Sequence, residues 1–208
     1  MVIGMDVFKE AFQGYEDCYT IIGGTAGAYR CGWKSTEKMH FYRFTEPQNP
    51  NYPVMIELFS KDPGYRLHES DMVITPLHIT DELSSLSAIM LNDDYYGFMM
   101  NGRTVLNGVG VLGAEYLIPF KMRAWLDLCR RKNEGEHVNS ADIKKHKNDV
   151  FRLMNIINPD AVIQTPETVK DDVKQFIVKM PEERINMKNI GLEMELEDAL
   201  HILERMYL

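Results

Sequence analysis

Tyr19-Thr20-Ile21-Ile22 is a short strand-like run closed by Gly23-Gly24-Thr25, a turn whose composition suits the binding of phosphate. Two glycines leave backbone N–H groups open to an approaching phosphate with no Cβ in the way. Thr25 adds a hydroxyl, suited either to that phosphate or to capping a following helix. A nucleotide-handling enzyme built on this turn also needs carboxylates, because Mg²⁺ takes hard oxygen ligands. Between Thr25 and Glu57 the only acids are Glu37 and Glu46, nine residues apart, and that spacing cannot make one strand site. Glu57 interrupts Val54-Met55-Ile56-Glu57-Leu58-Phe59, a run otherwise apolar on both faces, which reads as a central strand carrying one acid. Glu69-Ser70-Asp71 has acid-x-acid spacing but follows that strand, in what reads as a loop entering Met72-Val73-Ile74.

The elements that must position these residues change character near residue 113. Before it, Met5, Phe8, Ala11 and Phe12 fall at helical spacing with Gly14 as a stop, and strands are expected at 18–22, 38–44, 54–59 and 87–91. Asp93 is placed to cap a short helix through Met100, and Asn107-Gly108 is a hairpin signal. After it, Ala114 to Lys132 reads as one long helix with Pro119 near its first turn or kinking it. Ser140 is the expected cap of a second helix reaching Asn158. Two amphipathic helices follow, Pro166 to Met180 and Glu193 to Tyr207, the last with Met194, Leu196, Ala199, Leu200, Leu203 and Met206 on one stripe. The expected fold class is α+β: a mixed sheet with flanking helices over residues 1–112, then a helical half over 113–208.

Composition narrows the function classes. The 208 residues are 45% hydrophobic and 26% charged, ordinary for a globular chain with one core or two small domains. No apolar run approaches the about 20 residues that cross a bilayer, and Met1-Val2-Ile3-Gly4 lacks the basic start of a signal peptide, so a cytoplasmic, non-membrane protein is expected. Cys18, Cys31 and Cys129 are odd in number and widely spaced, without metal-binding spacing. A net charge of −8 argues against broad DNA binding, which needs many cations on phosphates. The basic zone, Arg130-Arg131-Lys132 and Lys144-Lys145-His146-Lys147, reads first as solvated helical faces.

Taken together, the leading helix, the strand ending Ile21-Ile22-Gly23-Gly24-Thr25-Ala26, the later strand with Glu57, and the paired helices "YLIPFKMRAWLDLCRRK" and "DIKKHKNDVFRLMNII" resemble the nucleotidyltransferase superfold. This is the polymerase-beta-like palm, and within it the AbiEii-type abortive-infection toxins and their bacterial relatives. The resemblance implies a metal-dependent transfer of an NMP from an NTP to an RNA, such as a tRNA end, or to a protein. It implies Mg²⁺ or Mn²⁺ as cofactor and a cognate antitoxin as a possible partner. It casts Gly23, Gly24 and Thr25 as nucleotide-binding, Glu57 as a metal ligand, and Lys121 and Asp149 as catalytic residues facing the nucleotide cleft. From the residues alone other roles stay open: Glu57 as a buried structural acid, Lys121 as a solvated flank, and Asp149 as a surface partner of Lys145 at i−4.

The resemblance also exposes a departure. The family's Asp-x-Asp pair belongs on the strand after the Gly-Gly turn, and here neither that pair nor the helix before it has room between Gly27 and Ser35. Either the block was lost, leaving a fold that binds nucleotide, RNA or a partner without catalysis, or a segment is omitted between Ala26 and Gly27. Omission is the reading adopted, because a palm without its first helix and second strand would bare a sheet edge and much apolar surface.

Overall fold

The computed structural model describes residues 5–22, 43–45, 55–57 and 91–208. Among them are seven α-helices and two antiparallel two-stranded sheets, a mixed but mostly helical arrangement. Helix α1 spans Met5–Ala11; β1 is Arg43–Thr45 and β2 is Met55–Glu57. Helix α2 (Asp93–Asn101) leads into the hairpin of β3 (Arg103–Leu106) and β4 (Val109–Leu112). Then follow α3 (Ala114–Asn133), α4 (Ser140–Leu153), α5 (Glu167–Lys179), α6 (Met187–Ile190) and α7 (Leu196–Tyr207).

Local chemistry accounts for most boundaries. Asn107 (φ 53°) and Gly108 (φ 74°) both take left-handed backbone, as a type I′ turn demands, and the hairpin pairs Leu106 with Val109 and Arg103 with Leu112. The caps of α2 and α4 fall one residue earlier than expected. Asn92 accepts from the Tyr95 N–H at 2.9 Å, and Asn139, rather than Ser140, accepts from the Ala141 N–H at 2.9 Å. An asparagine oxygen reaches the first-turn amides while its own backbone stays extended, and that frees Asp93 and Ser140 to be helical. Helix α4 stops at Leu153 and tightens into a 3₁₀ turn over Met154–Ile156, short of the expected Asn158.

The segment read as a strand at 18–22 is mostly something else. Glu16–Cys18 form a 3₁₀ turn, and only Ile21 joins a sheet, by a parallel bridge to Val111 of β4. The Ile21 N–H donates to the Gly110 carbonyl at 2.7 Å, and the Leu112 N–H donates to the Ile21 carbonyl at 3.0 Å. Arg103 holds the turn, donating to the Glu16 and Tyr19 carbonyl oxygens and pairing with Asp17 at 3.3 Å. A Cβ at Gly110 would lie 2.6 Å from the Tyr19 carbonyl oxygen, so only glycine lets this segment approach β4. Phe8, Tyr19 and Ile21 pack on Val109 and Val111 as a small satellite cluster.

The main core runs from Leu91, Tyr95 and Phe98 through Leu112 into the helical half, where Trp125, Phe151, Phe176, Leu203 and Met206 are buried. The segment from Leu91 to Leu112 and the helices after it therefore share one core. Trp125 meets Phe176 edge to face with centroids 5.3 Å apart. Pro119 lies in the sixth position of α3 and has no N–H for the Glu115 carbonyl one turn back. The hydroxyl of Tyr207, from α7, donates to that Glu115 oxygen instead, so the C-terminal helix completes a hydrogen bond that the proline removed. Asp172 on α5 similarly ties three helices, accepting from the Tyr95 hydroxyl at 2.7 Å and from Arg123 at 3.0 Å. Burial and the facing Asp172 charge push the Tyr95 phenol up, so it stays a donor.

Candidate functional site at the α3–α4 hairpin

Leu117, Lys121, Trp125 and Leu128 fall at helical spacing along α3, and all four are buried. Lys121 thus occupies a core-facing position, not the solvated flank that its sequence neighbours also allowed. Burying an ammonium is costly unless it is paired, and the partner comes from the other arm of the hairpin. Lys121 Nζ lies 3.0 Å from Asp149 Oδ2, with the lysine side chain 5% and the aspartate side chain 18% exposed. The two catalytic candidates on the helices, 28 residues apart in sequence, are brought into direct contact.

Asp149 does not pair with Lys145, as the surface alternative had it. Its other oxygen, Oδ1, accepts from Arg152 Nη1 at 3.1 Å, one turn further along α4. A single carboxylate therefore holds two cations on opposite oxygens, one buried and one half-exposed. Sequence reasoning passed over Arg152, and the signal that pointed to it was its i+3 spacing from Asp149.

His146 stands on the same face of α4, three residues before Asp149, and is only 6% exposed. Its Nδ1 is buried with no hydrogen-bond partner. Burial, reinforced by the Lys121 and Lys145 charges, pushes the imidazole down to about 4 against the opposing pull of Asp149 and Asp142. At neutral pH the residue is uncharged. The next residue, Lys147, points elsewhere: its ammonium pairs with Glu183 and donates to the Arg184 carbonyl at 3.4 Å, joining α4 to the segment before α6. Elsewhere in the basic zone Arg130 is held between Asp127 and Glu134, and Arg131 pairs with Glu136.

Glu57 ends β2 directly across from Arg43 of β1, and among the described residues β1 is the one strand that pairs with β2. Gly23, Gly24, Thr25 and the Ala26–Gly27 junction lie outside the described residues, as do Glu37, Glu46 and Glu69-Ser70-Asp71. Among the described residues no three His, Cys, Asp or Glu side chains gather as a metal site. Glu57 by itself offers too few oxygens for the pair of hard divalent cations that the resemblance implies. No helix of the described residues is long and apolar enough to cross a membrane.

No family model, no curated protein and no solved structure matches the chain.

Proposed function

We propose that the protein is of the nucleotidyltransferase type: it binds an NTP at the α3–α4 hairpin and transfers an NMP to an RNA or protein acceptor with Mg²⁺ or Mn²⁺. The observation that carries this reading is the Lys121–Asp149 contact at 3.0 Å. Two residues assigned to one nucleotide cleft from the resemblance alone meet in space from separate helices. An ammonium fixed in a mostly buried position is a point charge suited to a phosphate oxygen, and its fixation is settled before any ligand arrives. Glu57 is the metal ligand of this reading, and the Asp-x-Asp pair it needs beside it is not found between Ala26 and Glu57 in the 208-residue sequence.

That missing pair favours a second reading, in which the chain binds nucleotide, RNA or a partner such as an antitoxin without transferring anything. One set of measurements separates the two. Intact mass decides the block: a value near 24.1 kDa means that Ala26 and Gly27 are neighbours, and one several kDa larger means that a segment intervenes. The purified chain is then incubated with labelled NTP, Mg²⁺ and RNA. The catalytic reading expects labelled RNA that disappears in Glu57→Gln and falls steeply in Lys121→Met. NTP binding with no label transferred supports the second reading, and neither binding nor transfer rejects both.

A further inference from the structure

The cations of the α3–α4 region are not equivalent. Arg130, Arg131 and Lys147 are each neutralised by their own acids. On the stripe of α4 that carries Asp149 the balance differs. Lys145, Asp149 and Arg152 sit at i, i+4 and i+7, one face of the helix extending about 10 Å along its axis. Arg152 is 50% exposed, and among the described residues it uses one of its five N–H donors, on Asp149, which leaves the rest of its fork for a ligand. Lys145 is exposed, and among the described residues no acid pairs with it. Lys121 stands behind the stripe, also with donors to spare once Asp149 is bound. Among the described residues, the acids whose charge acts on His146 beside this stripe are Asp149 itself and Asp142, one turn before Lys145, against the three cations Lys121, Lys145 and Arg152. His146, buried between Lys145 and Asp149 in sequence and facing Lys121, adds an unpartnered ring nitrogen but no charge.

We propose that Lys145 and Arg152, with Lys121 behind them, form a clamp for the polyphosphate tail of the nucleotide, in which Asp149 is the counter-ion that fixes Lys121 and Arg152 in place. This rests on the nucleotide-binding reading and adds to it two residues and a ligand group. A row of cations about two helical turns long matches a chain of linked phosphates better than a single one, and a guanidinium fork suits bidentate contact with phosphate oxygens. Arg152 and Lys145 act on binding; neither takes part in bond making.

The test uses the full chain and inorganic tripolyphosphate, which carries the phosphate chain without base or sugar. Binding is measured by titration calorimetry for the wild type, for Arg152→Ala, for the double variant Lys145→Ala/Arg152→Ala, and for Lys174→Ala. Lys174 is a half-exposed cation of α5 paired with Asp171, and serves as a control for bulk charge. All the substituted side chains are exposed, so the fold is retained, which far-UV circular dichroism checks. The clamp predicts saturable binding to wild type, weakened about tenfold by Arg152→Ala and further in the double variant, with Lys174→Ala unchanged. No binding to wild type, equal binding to the double variant, or equal weakening by Lys174→Ala overturns it. Nucleotidyl transfer is read separately: a chain that binds tripolyphosphate through the clamp but transfers no NMP keeps this inference and loses the catalytic one. If transfer occurs, the double variant raises KM for NTP with little change in kcat, and an unchanged KM rejects the clamp while leaving the catalysis standing.

Discussion

Acidification probes His146 directly. The imidazole is 6% exposed and is pushed from its ordinary 6.5 to about 4, first by burial and then by Lys121 and Lys145. The unfolded chain binds this proton more readily than the folded one, so acid favours unfolding. The stabilising contribution is complete above pH 6.5, declines as pH falls, and is gone once pH passes below about 4. A depression of that size corresponds in total to about 3 kcal/mol, of which about 2 kcal/mol is lost between pH 7 and pH 5. That window lies above the ordinary titration of carboxylates, which keeps their contribution small. The assay is urea unfolding followed by fluorescence at pH 7 and pH 5, for wild type and His146→Gln. Glutamine keeps a polar side chain without a proton to bind, so the variant is expected to lose about 2 kcal/mol less than wild type over the same interval. Parallel losses in the two proteins would show that His146 is not a buried neutral imidazole, and the electrostatic description of the hairpin would fail with it.

Two further perturbations follow from the packing. Asp149→Ala leaves Lys121 buried without a partner and is expected to cost about 3–5 kcal/mol, whereas Lys121→Met keeps the aliphatic stem in place and leaves Asp149 its Arg152 contact, so it costs markedly less; denaturant midpoints of the two variants that coincide would contradict the assignment of Asp149 as the ammonium's essential counter-charge. Tyr207→Phe leaves the Glu115 carbonyl, already deprived of an amide by Pro119, without its hydroxyl donor; a loss of about 1–3 kcal/mol in thermal or urea unfolding is expected, and a Pro119→Ala/Tyr207→Phe double variant should recover part of it by restoring the helical hydrogen bond.

Much of the helical half was legible in the chain itself. Periodic apolar residues mark α3, α4, α5 and α7 to within a few residues, and Asn107-Gly108 announces the β3–β4 hairpin, because these signals depend on neighbours three or four positions away at most. Boundaries were harder where several residues compete for one role: Asn92 and Asn139 take the caps from Asp93 and Ser140. The four-residue helix α6 escaped notice because so short a segment carries no periodicity. At 18–22 the apolar run reads as a strand in isolation, but Arg103, more than eighty residues away, holds the backbone before it in a 3₁₀ turn.

The division is sharper at the candidate site. Lys121 and Asp149 were singled out by the resemblance, while the residues by themselves show that no Asp-x-Asp pair lies between Gly23-Gly24-Thr25-Ala26 and Glu57. Local spacing offered Lys145 as the natural partner of Asp149 and solvent as the natural environment of Lys121. Only the tertiary structure decided otherwise, by folding α4 back on α3. A buried ammonium must find a carboxylate wherever the chain brings one, and the cost of leaving it unpaired exceeds what an exposed i,i+4 pair on one helix can contribute.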